Sequence, residues 1–344
     1  ESRKPKSRAI PSILKPIKDH IIQIQTAIYA AQILHENEKS HGLIELNLTT
    51  PSVNNLNELI WESPSSELNQ WKLPLSNTDP QSILSTLLRA AGRAAYMHLS
   101  QLNIPSIIIQ SDQIDKNTLN DVVKSALGLD LKLELDEEGV TTASELAEVF
   151  SRNPSRRILD KLLKNSLPTP KLINSEGISI TDKEHTDNEI RYEESLIQAP
   201  WTCPTINYYE INNQRIILAL LKEGKQRPNA RHKISVNLGK KECSEQIDWQ
   251  IFTDAITANI NNVTSEKVLF KLNSLRRQSK SLRNGIISMA QARAAEPCVG
   301  DELDAVISGV QSYGFFAEIY PSMAEGLVHV SSLSDDWYEY KSRQ

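Results

Sequence analysis

The clearest structural pattern of the chain lies near its C-terminal end, in VGDELDAVISGVQSYGFFAEI at residues 299–319 and EGLVHVSSL at residues 325–333. Its β-branched and aromatic runs predict three strands, over residues 303–310, 314–319 and 326–330. The runs are separated by residues that favour turns, which are Gly314, Pro321 and Gly326. The sequence therefore predicts a small sheet in which a tight glycine turn joins the first two strands.

Aromatic side chains flank this glycine turn, and a histidine lies on the next strand. A surface of this kind, with Tyr313, at most one of the two phenylalanines and His329, stacks unpaired bases without sequence preference, each base contributing roughly 1–3 kcal/mol. Alternatively, Phe315 or Phe316 belongs to the core of a barrel. Because side chains alternate along a strand, we expect one of these two phenylalanines to face inwards and the other outwards.

Upstream of Pro297 the hydrophobic pattern predicts a mainly helical chain. The predicted helices cover residues 13–36, 81–102, 116–127, 142–151, 155–164, 208–222, 248–260 and 264–294. Short strands are predicted at residues 43–48, 104–109 and 233–238. Residues 165–198 are rich in polar residues without a period, which predicts a long loop or a partly disordered insertion. One side of the last helix carries an apolar stripe formed by Val268, Leu272, Leu275, Leu282, Ile286 and Met289.

Composition is that of a soluble globular protein, because 39% of the 344 residues are hydrophobic and 24% are charged. The length predicts about two domains. No apolar run approaches the roughly 20 residues of a membrane span, and no signal peptide is recognised. The three cysteines are far apart, which argues against a zinc site and fits a reducing cytoplasm. A first residue other than Met indicates a processed product or a fragment.

Charge is segregated along the chain. The net charge of −5 argues weakly against nucleic-acid binding, yet residues 222–241 hold seven Lys or Arg and one acid, and residues 267–293 hold seven and no acid. Each run is either a solvated face or a track for phosphates. The same alternatives stay open for Arg231 and Lys233, which enter the predicted basic strand.

The C-terminal stretch resembles the RNA-binding OB fold first named in ribosomal protein S-one. The family pattern is a G-x-V strand, an aromatic-Gly-x-Phe turn and an E-G-L-V-H-x-S-x-L segment, and all three parts match. In that family the outward aromatic residues and the histidine form the RNA face, which implies this role for Tyr313, Phe316 and His329. Because Gln344 comes before the last strands of such a barrel, the domain is expected to be incomplete.

The rest of the chain resembles the later part of the ribonuclease II (RNB) catalytic domain, in its cyanobacterial version. The resemblance rests on residues 83–109, 276–284 and the segment APWTCPTINYYEINNQR at residues 199–215, which is similar to the family signature T-S-P-I-R-R-Y-x-D-L-x-N-x-R. It implies an α+β chain in which residues 1–295 form the mostly helical later part of the catalytic domain and residues 296–344 form an incomplete all-β OB-fold barrel. It also implies a cytoplasmic, cyanobacteria-like bacterial protein that acts on single-stranded RNA. An RNA-processing complex is a further expected partner.

Several positions depart from the family pattern. Members of the family hold Mg²⁺ with a cluster of aspartates. The resemblance therefore implies Mg²⁺ as a cofactor, but this chain has no D-x-x-D-x-D-D run that would supply its ligands. The family's paired arginines align with Ile206 and Asn207, which lack the guanidinium fork that suits a phosphate. Further family arginines, and one carboxylate, are replaced at His35, Glu38, Ile109 and Leu282.

These departures leave no catalytic or metal residue to assign. The residues expected to bind RNA are Tyr313, Phe316, His329, Arg215, Tyr208, Arg231, Lys233 and Arg283. Thr202, Pro204 and Asn213 also remain from the signature, and the first two could equally shape the turn before the helix. His98, on the alanine-rich helix, is expected to be structural.

Three hypotheses remain open. The first is a 3′-to-5′ exoribonuclease of the ribonuclease II type, of which this chain supplies the RNA-guiding part. The second is a catalytically inactive RNA-binding protein on the same scaffold. The third is a protein–protein role in an RNA-processing complex.

Overall fold

The computed structural model describes residues 19–48, 71–129, 131–133, 141–177, 197–205, 207–224, 236–238, 240, 242–320 and 322–333. The helices are α1 (Ile21–Ser40), α2 (Pro80–Gln101), α3 (Lys116–Leu127), α4 (Ala143–Ser151), α5 (Arg156–Ser166), α6 (Tyr208–Glu223), α7 (Cys243–Gln246), α8 (Asp254–Val263) and α9 (Glu266–Ala295). The strands are β1 (Ile44–Glu45), β2 (Trp71–Lys72), β3 (Ile107–Gln110), β4 (Lys171–Asn174), β5 (Ala305–Gln311), β6 (Gly314–Ile319) and β7 (Glu325–His329). The chain is therefore α+β, as predicted.

Local signals place several helix starts where the sequence predicted them. The side chain of Asp79 accepts hydrogen bonds from the backbone N–H groups of Gln81 and Ser82, and Pro80 occupies the first helical position of α2. Thr142 and Glu145 form a complete capping box at the start of α4. The prediction for α8 was wrong at its start, because the helix begins at Asp254 and the six residues from position 248 are not helical.

The interpretation of residues 165–198 as a long loop needs a correction. Residues 171–174 form β4, which pairs antiparallel with β3 in the register Ile107↔Asn174 to Gln110↔Lys171. On the other edge of β3, the backbone N–H of Ile109 donates a hydrogen bond of 2.9 Å to the carbonyl oxygen of Gln198. A strand of four residues is too short to show an alternating pattern, so only tertiary pairing reveals it. Residues 178–196 lie outside the described residues.

The predicted basic strand at residues 233–238 is not confirmed over the half of it that the structure describes. Residues 233–235 lie outside the described part of the chain, and residues 236–238 are not in a strand. Val236 and Leu238 are nevertheless buried, in a core shared with α6 and α8. Their alternating burial produced the strand-like pattern.

The apolar side chains gather in adjoining clusters. The largest joins β1 and β2 to α3, α4 and α5 around the fully buried Phe150. A second joins the end of α2 to α6 and α8. A third lies where β3 and β4 meet α6 and the first turns of α9. Because β3 belongs to the third cluster through Ile107 and to a fourth through Ile108, this short strand links the two sides of the helical part.

The apolar stripe of α9 is mostly in solvent. Leu269 is the residue of this helix that is buried, whereas Leu275, Leu282 and Met289 are exposed. The helix is anchored near its start, where the side-chain amide of Asn273 makes two hydrogen bonds of 2.8 Å with the backbone of Leu172. The stripe therefore reports helical periodicity rather than burial. Among the described residues, no helix is both long and apolar enough to cross a membrane.

The three C-terminal strands confirm the prediction from residues 299–333. They form one antiparallel sheet in the order β5–β6–β7, which we call the C-terminal sheet. A bulge interrupts the register between Ile307 and Gly309. Within the described residues this sheet stays open and does not close into a barrel.

Candidate nucleic-acid interface

The C-terminal sheet has one face that combines aromatic, histidine and acidic side chains, which we call the front face. Cross-strand partners share a face, and the register pairs Phe316 with Leu327, Gly314 with His329, and Glu318 with Glu325. Phe316, Leu327, His329, Glu318 and Glu325 therefore project to the same side. The strands thus bring together two of the three residues predicted to form the RNA face.

The two phenylalanines lie on opposite faces, as strand alternation predicted. Phe315 pairs with Val310 and Val328 on the back face, whereas Phe316 is on the front face. Tyr313 occupies the two-residue turn between β5 and β6, and its side chain is 44% exposed. The aromatic groups at the turn and on the front face are therefore neighbours at one end of the sheet.

Gly314 is required by the close approach of β6 to β7. Its φ is +153°, and a Cβ at this position would lie 2.2 Å from the backbone carbonyl oxygen of Val328. Any side chain here would force the two strands apart. This glycine thus permits the pairing that places His329 beside the turn.

The imidazole of His329 is held in a defined orientation. Its Nδ1 accepts a hydrogen bond from the backbone N–H of Ser331 at 3.2 Å and lies 2.8 Å from the hydroxyl oxygen of the same residue. Because a backbone N–H can only donate, the neutral ring carries its proton on Nε2. The exposed ring can therefore donate one hydrogen bond from Nε2 to a phosphate or a base.

The residues predicted on α6 form a second patch. Tyr208 and Arg215 are both exposed and lie seven positions apart, which places them on one side of the helix. Tyr209, which follows Tyr208 in sequence, is instead buried, and the guanidinium of Arg276 on α9 lies 5.8 Å from the centre of its ring. Burial raises the pKa of Tyr209, so its hydroxyl stays protonated.

Of the other predicted residues, one lies on α9 and two lie outside the described part of the chain. Arg283 is partly buried on α9, where burial lowers the pKa of its guanidinium. Arg231 and Lys233 lie outside the described residues. His98 is partly buried, and burial lowers the pKa of its imidazole, which agrees with a structural role.

Asn213 of the signature is a structural residue. Its fully buried side chain accepts a hydrogen bond from the N–H of Ile107 at 2.9 Å and donates to the carbonyls of Ile107 at 2.7 Å and Pro200 at 2.8 Å. The side chain thus continues the hydrogen bonding of β3 at Ile107, where the described residues place no backbone partner on this edge. Asn213 is therefore not available to touch RNA.

Positions where the family has arginines serve other purposes here. Asn207 donates from Nδ2 to the buried carboxylate of Glu210 at 2.7 Å, and Ile109 is buried within β3. Ile206 lies outside the described residues. At the position aligned with the family's carboxylate, Leu282 is 70% exposed.

His35 and Glu38 belong to a buried ionic cluster. The carboxylate of Glu38 lies 3.0 Å from Lys72 Nζ and 3.5 Å from Arg89 Nε, and His35 Nε2 lies 2.9 Å from Glu45. Burial alone raises the pKa of Glu38, but the charges of Arg89 and Lys72 outweigh it, and the pKa lies below its usual value. These side chains join α1 to β1, β2 and α2 instead of contacting a ligand.

Side chains that could bind a metal ion do not cluster in the described part of the chain. Its residues contain no group of three or more His, Cys, Asp or Glu side chains that could hold a metal ion. The described side chains therefore do not fit a bound Mg²⁺ ion. The cysteines, Cys203, Cys243 and Cys298, are free thiols.

Sequence reasoning missed one feature of the front face. Glu318 and Glu325 form ion pairs with Arg157 and Lys161 on α5. Arg157 Nε lies 2.6 Å from Glu318 Oε1. Strand alternation already places Glu318 on the face of Phe316. Nothing in the sequence, however, links that face to a helix more than 150 residues earlier.

Two family models match different parts of the chain. The RNB domain matches residues 2–223, and the S1 RNA binding domain matches residues 296–344. Among curated relatives, the acetazolamide conferring resistance protein zam of Synechocystis is 29% identical over 82% of this chain and 36% of its own length. Ribonuclease R of Buchnera aphidicola is 23% identical over 77% of this chain and 31% of its own length. The chain therefore spans about a third of the length of these relatives.

The same architecture occurs in solved structures. The apo form of Mycoplasma genitalium RNase R superposes with a TM-score of 0.64, covering 93% of this chain and 43% of that one at 14% identity. Its complex with ribose methylated single-stranded RNA superposes with the same TM-score. At this identity the likeness concerns the fold. Since the RNB model covers more than half of its residues, the chain belongs to the RNB domain family and carries an S1 RNA binding domain at its C-terminal end.

Proposed function

We propose that this chain is the RNA-guiding part of a 3′-to-5′ exoribonuclease of the ribonuclease II type, acting on single-stranded RNA. In this proposal residues 1–295 are the later part of the catalytic domain, and residues 296–344 are the module that captures the strand. The observation that carries the proposal is the front face, where Phe316 and the oriented imidazole of His329 lie beside the exposed Tyr313. Stacking platforms of this kind hold unpaired bases without a need for sequence recognition.

The long helix α9 supports a path for the phosphates. After Glu266 it carries no acidic residue until its end at Ala295, and most of its basic side chains are exposed. These exposed residues are Lys267, Lys271, Arg277, Lys280 and Arg293. We propose that they attract a polynucleotide and that Tyr208 and Arg215 on α6 contribute a further contact.

A second candidate function is a catalytically inactive RNA-binding protein on the same scaffold. It is favoured by the changed positions, since Asn207 is bound to Glu210 and Ile109 is buried, so neither side chain can hold a scissile phosphate. Both functions share the RNA-binding surface. They differ in whether the complete protein hydrolyses RNA.

We predict that the purified chain binds labelled single-stranded RNA and that its affinity falls steeply as salt increases. Each phosphate contact should contribute about −0.7 to the slope of log affinity against log salt, because counterions are released. Fluorescence anisotropy of an oligoribonucleotide from 50 to 300 mM salt, with the matching oligodeoxyribonucleotide as a control, measures this slope. Binding that is absent, or insensitive to salt, would favour a protein–protein role instead.

We further predict that the purified chain does not shorten RNA in the presence of Mg²⁺, because its described residues offer no metal ligand set. A 5′-labelled oligoribonucleotide resolved on a denaturing gel provides the assay. Mg²⁺-dependent shortening from the 3′ end would refute the expectation. The same assay on the complete parent protein separates the two functions: shortening identifies the nuclease, and an intact substrate identifies the binder.

A further inference from the structure

The C-terminal sheet is fastened to the helical part by a compact ionic network. Arg157 Nε lies 2.6 Å from Glu318 Oε1, and Lys161 Nζ lies 3.6 Å from Glu318 Oε2 and 3.1 Å from Glu325 Oε2. The hydroxyl of Ser308 donates a further hydrogen bond to Glu325. The two bases come from α5 and the two acids from β6 and β7, so each ion pair crosses from the helix to the sheet.

The central carboxylate of this network is buried. Glu318 is only 3% exposed, although its strand lies in a sheet whose other side chains are mostly in contact with solvent. A buried carboxylate is unfavourable unless it is paired, and removing one partner leaves an uncompensated charge. The burial of Glu318 therefore depends on α5 remaining in place.

The network lies on the front face, next to the aromatic residues. Glu318 follows Phe316 by two positions on β6, and Glu325 precedes Leu327 by two positions on β7. Residues two apart on a strand are separated by about 7 Å. Hence α5 covers the acidic end of the same face whose other end carries Phe316 and His329.

We propose that Arg157 and Lys161 are positioning residues, which hold the front face of the C-terminal sheet against α5 through an ionic latch with Glu318 and Glu325. The latch fixes the position of the C-terminal sheet relative to the helical part. It therefore sets the direction in which an RNA strand stacked on Phe316 continues along the helices. It also shields phosphates from the two carboxylates, since both acids are neutralised by the bases of α5. This consequence for RNA rests on the proposed function, whereas the latch itself does not.

The latch is tested by charge reversal with an exchange of partners. Arg157→Glu and Glu318→Arg should each release the sheet. The double variant R157E/E318R should restore the 157–318 ion pair with its sign inverted and recover the latch in part, because Lys161 then faces a positive charge at position 318. Arg152→Glu serves as a matched control, because Arg152 is an exposed residue at the C-cap of neighbouring α4 and pairs only with exposed Glu148 among the described ion pairs.

The readout is energy transfer between fluorophores introduced as non-natural amino acids at two exposed sites, Lys124 on α3 and Ala305 on β5. Without RNA and at low salt, the full chain should show a single state with efficient energy transfer. Each single charge reversal, or 1 M salt, should shift the chain to a state with less efficient transfer. The coupling between the two reversals should be about tenfold in the ratio of the two states, as for contacting charges. Unchanged transfer in R157E, or no recovery in the double variant, would overturn the latch.

RNA affinity then separates this inference from the proposed function. If both hold, R157E weakens binding and the double variant recovers it in parallel with energy transfer. If energy transfer behaves as described but the wild-type chain binds no RNA, the latch stands and the proposed function fails. If RNA binds but neither affinity nor energy transfer responds to R157E, the positioning role is excluded and the RNA face acts alone.

Discussion

Replacing Phe316 and His329 by alanine together should weaken the binding of single-stranded RNA about a hundredfold. Each base that stacks on an aromatic ring contributes about 1–3 kcal/mol, which corresponds to roughly 5- to 150-fold in affinity. Phe316 and His329 lie on the same face, and the ring of His329 is held by Ser331. Losing both groups therefore removes a stacking surface and a hydrogen-bond donor. Anisotropy titrations of the full chain, at one fixed salt concentration, measure the effect.

Val310→Ala is the matched control for this pair. Val310 lies on the same sheet and is exposed, but it pairs with Phe315 on the back face. We expect it to leave RNA affinity within about twofold, since scattered surface substitutions have small effects. Circular dichroism of each variant confirms that the sheet is intact. Unchanged affinity in the double variant with an intact fold would remove these residues from the binding site.

Replacing Asn213 by alanine should lower the free energy of unfolding by about 3 kcal/mol. The substitution deletes three buried hydrogen bonds and leaves backbone groups of Ile107 and Pro200 without a partner. An unsatisfied buried polar group costs about 1–3 kcal/mol. Because β3 contributes to two core clusters, the loss should loosen the helical part as a whole. Urea denaturation followed by circular dichroism gives the change.

Asn284→Ala provides the control for this prediction. Asn284 is also an asparagine within a helix, but it is exposed on α9, where alanine has the higher helix propensity. We expect the midpoint of its urea transition to stay the same or rise slightly. If the two variants unfold at the same urea concentration with equal slopes, the amide of Asn213 does not support β3. A weaker RNA affinity of Asn213→Ala without loss of stability would instead return this residue to the RNA contacts.

Local sequence signals were sufficient where neighbouring residues decide the structure. The helix α3 over residues 116–127 and the strand β6 over residues 314–319 were predicted with the boundaries that the structure has. Both elements begin or end at residues with strong backbone preferences, such as Asp115 and Gly314. The capping box at Thr142 was likewise visible as a spacing of two side chains.

Local sequence patterns were not sufficient where distant segments decide the structure. The strand β4 is specified by its pairing with β3, more than 60 residues earlier, and not by its own pattern. The apolar stripe of α9 has helical spacing, but the core reaches only its first turns around Leu269. The exact role of Asn213 also escaped the signature, because its partners, Ile107 and Pro200, come from other parts of the chain.

The sequence alone determined the family, the α+β class and the glycine-turned sheet with its aromatic face, because these depend on patterns within a few neighbouring residues. Which polar residues form hydrogen bonds or ion pairs in the interior became clear only from the folded structure. It assigned Glu38 to a buried ionic cluster and Glu318 to an ion pair with α5, since both acids find their partners only after the chain has folded. Burial and pairing of charge are properties of three-dimensional proximity, and sequence spacing does not encode them.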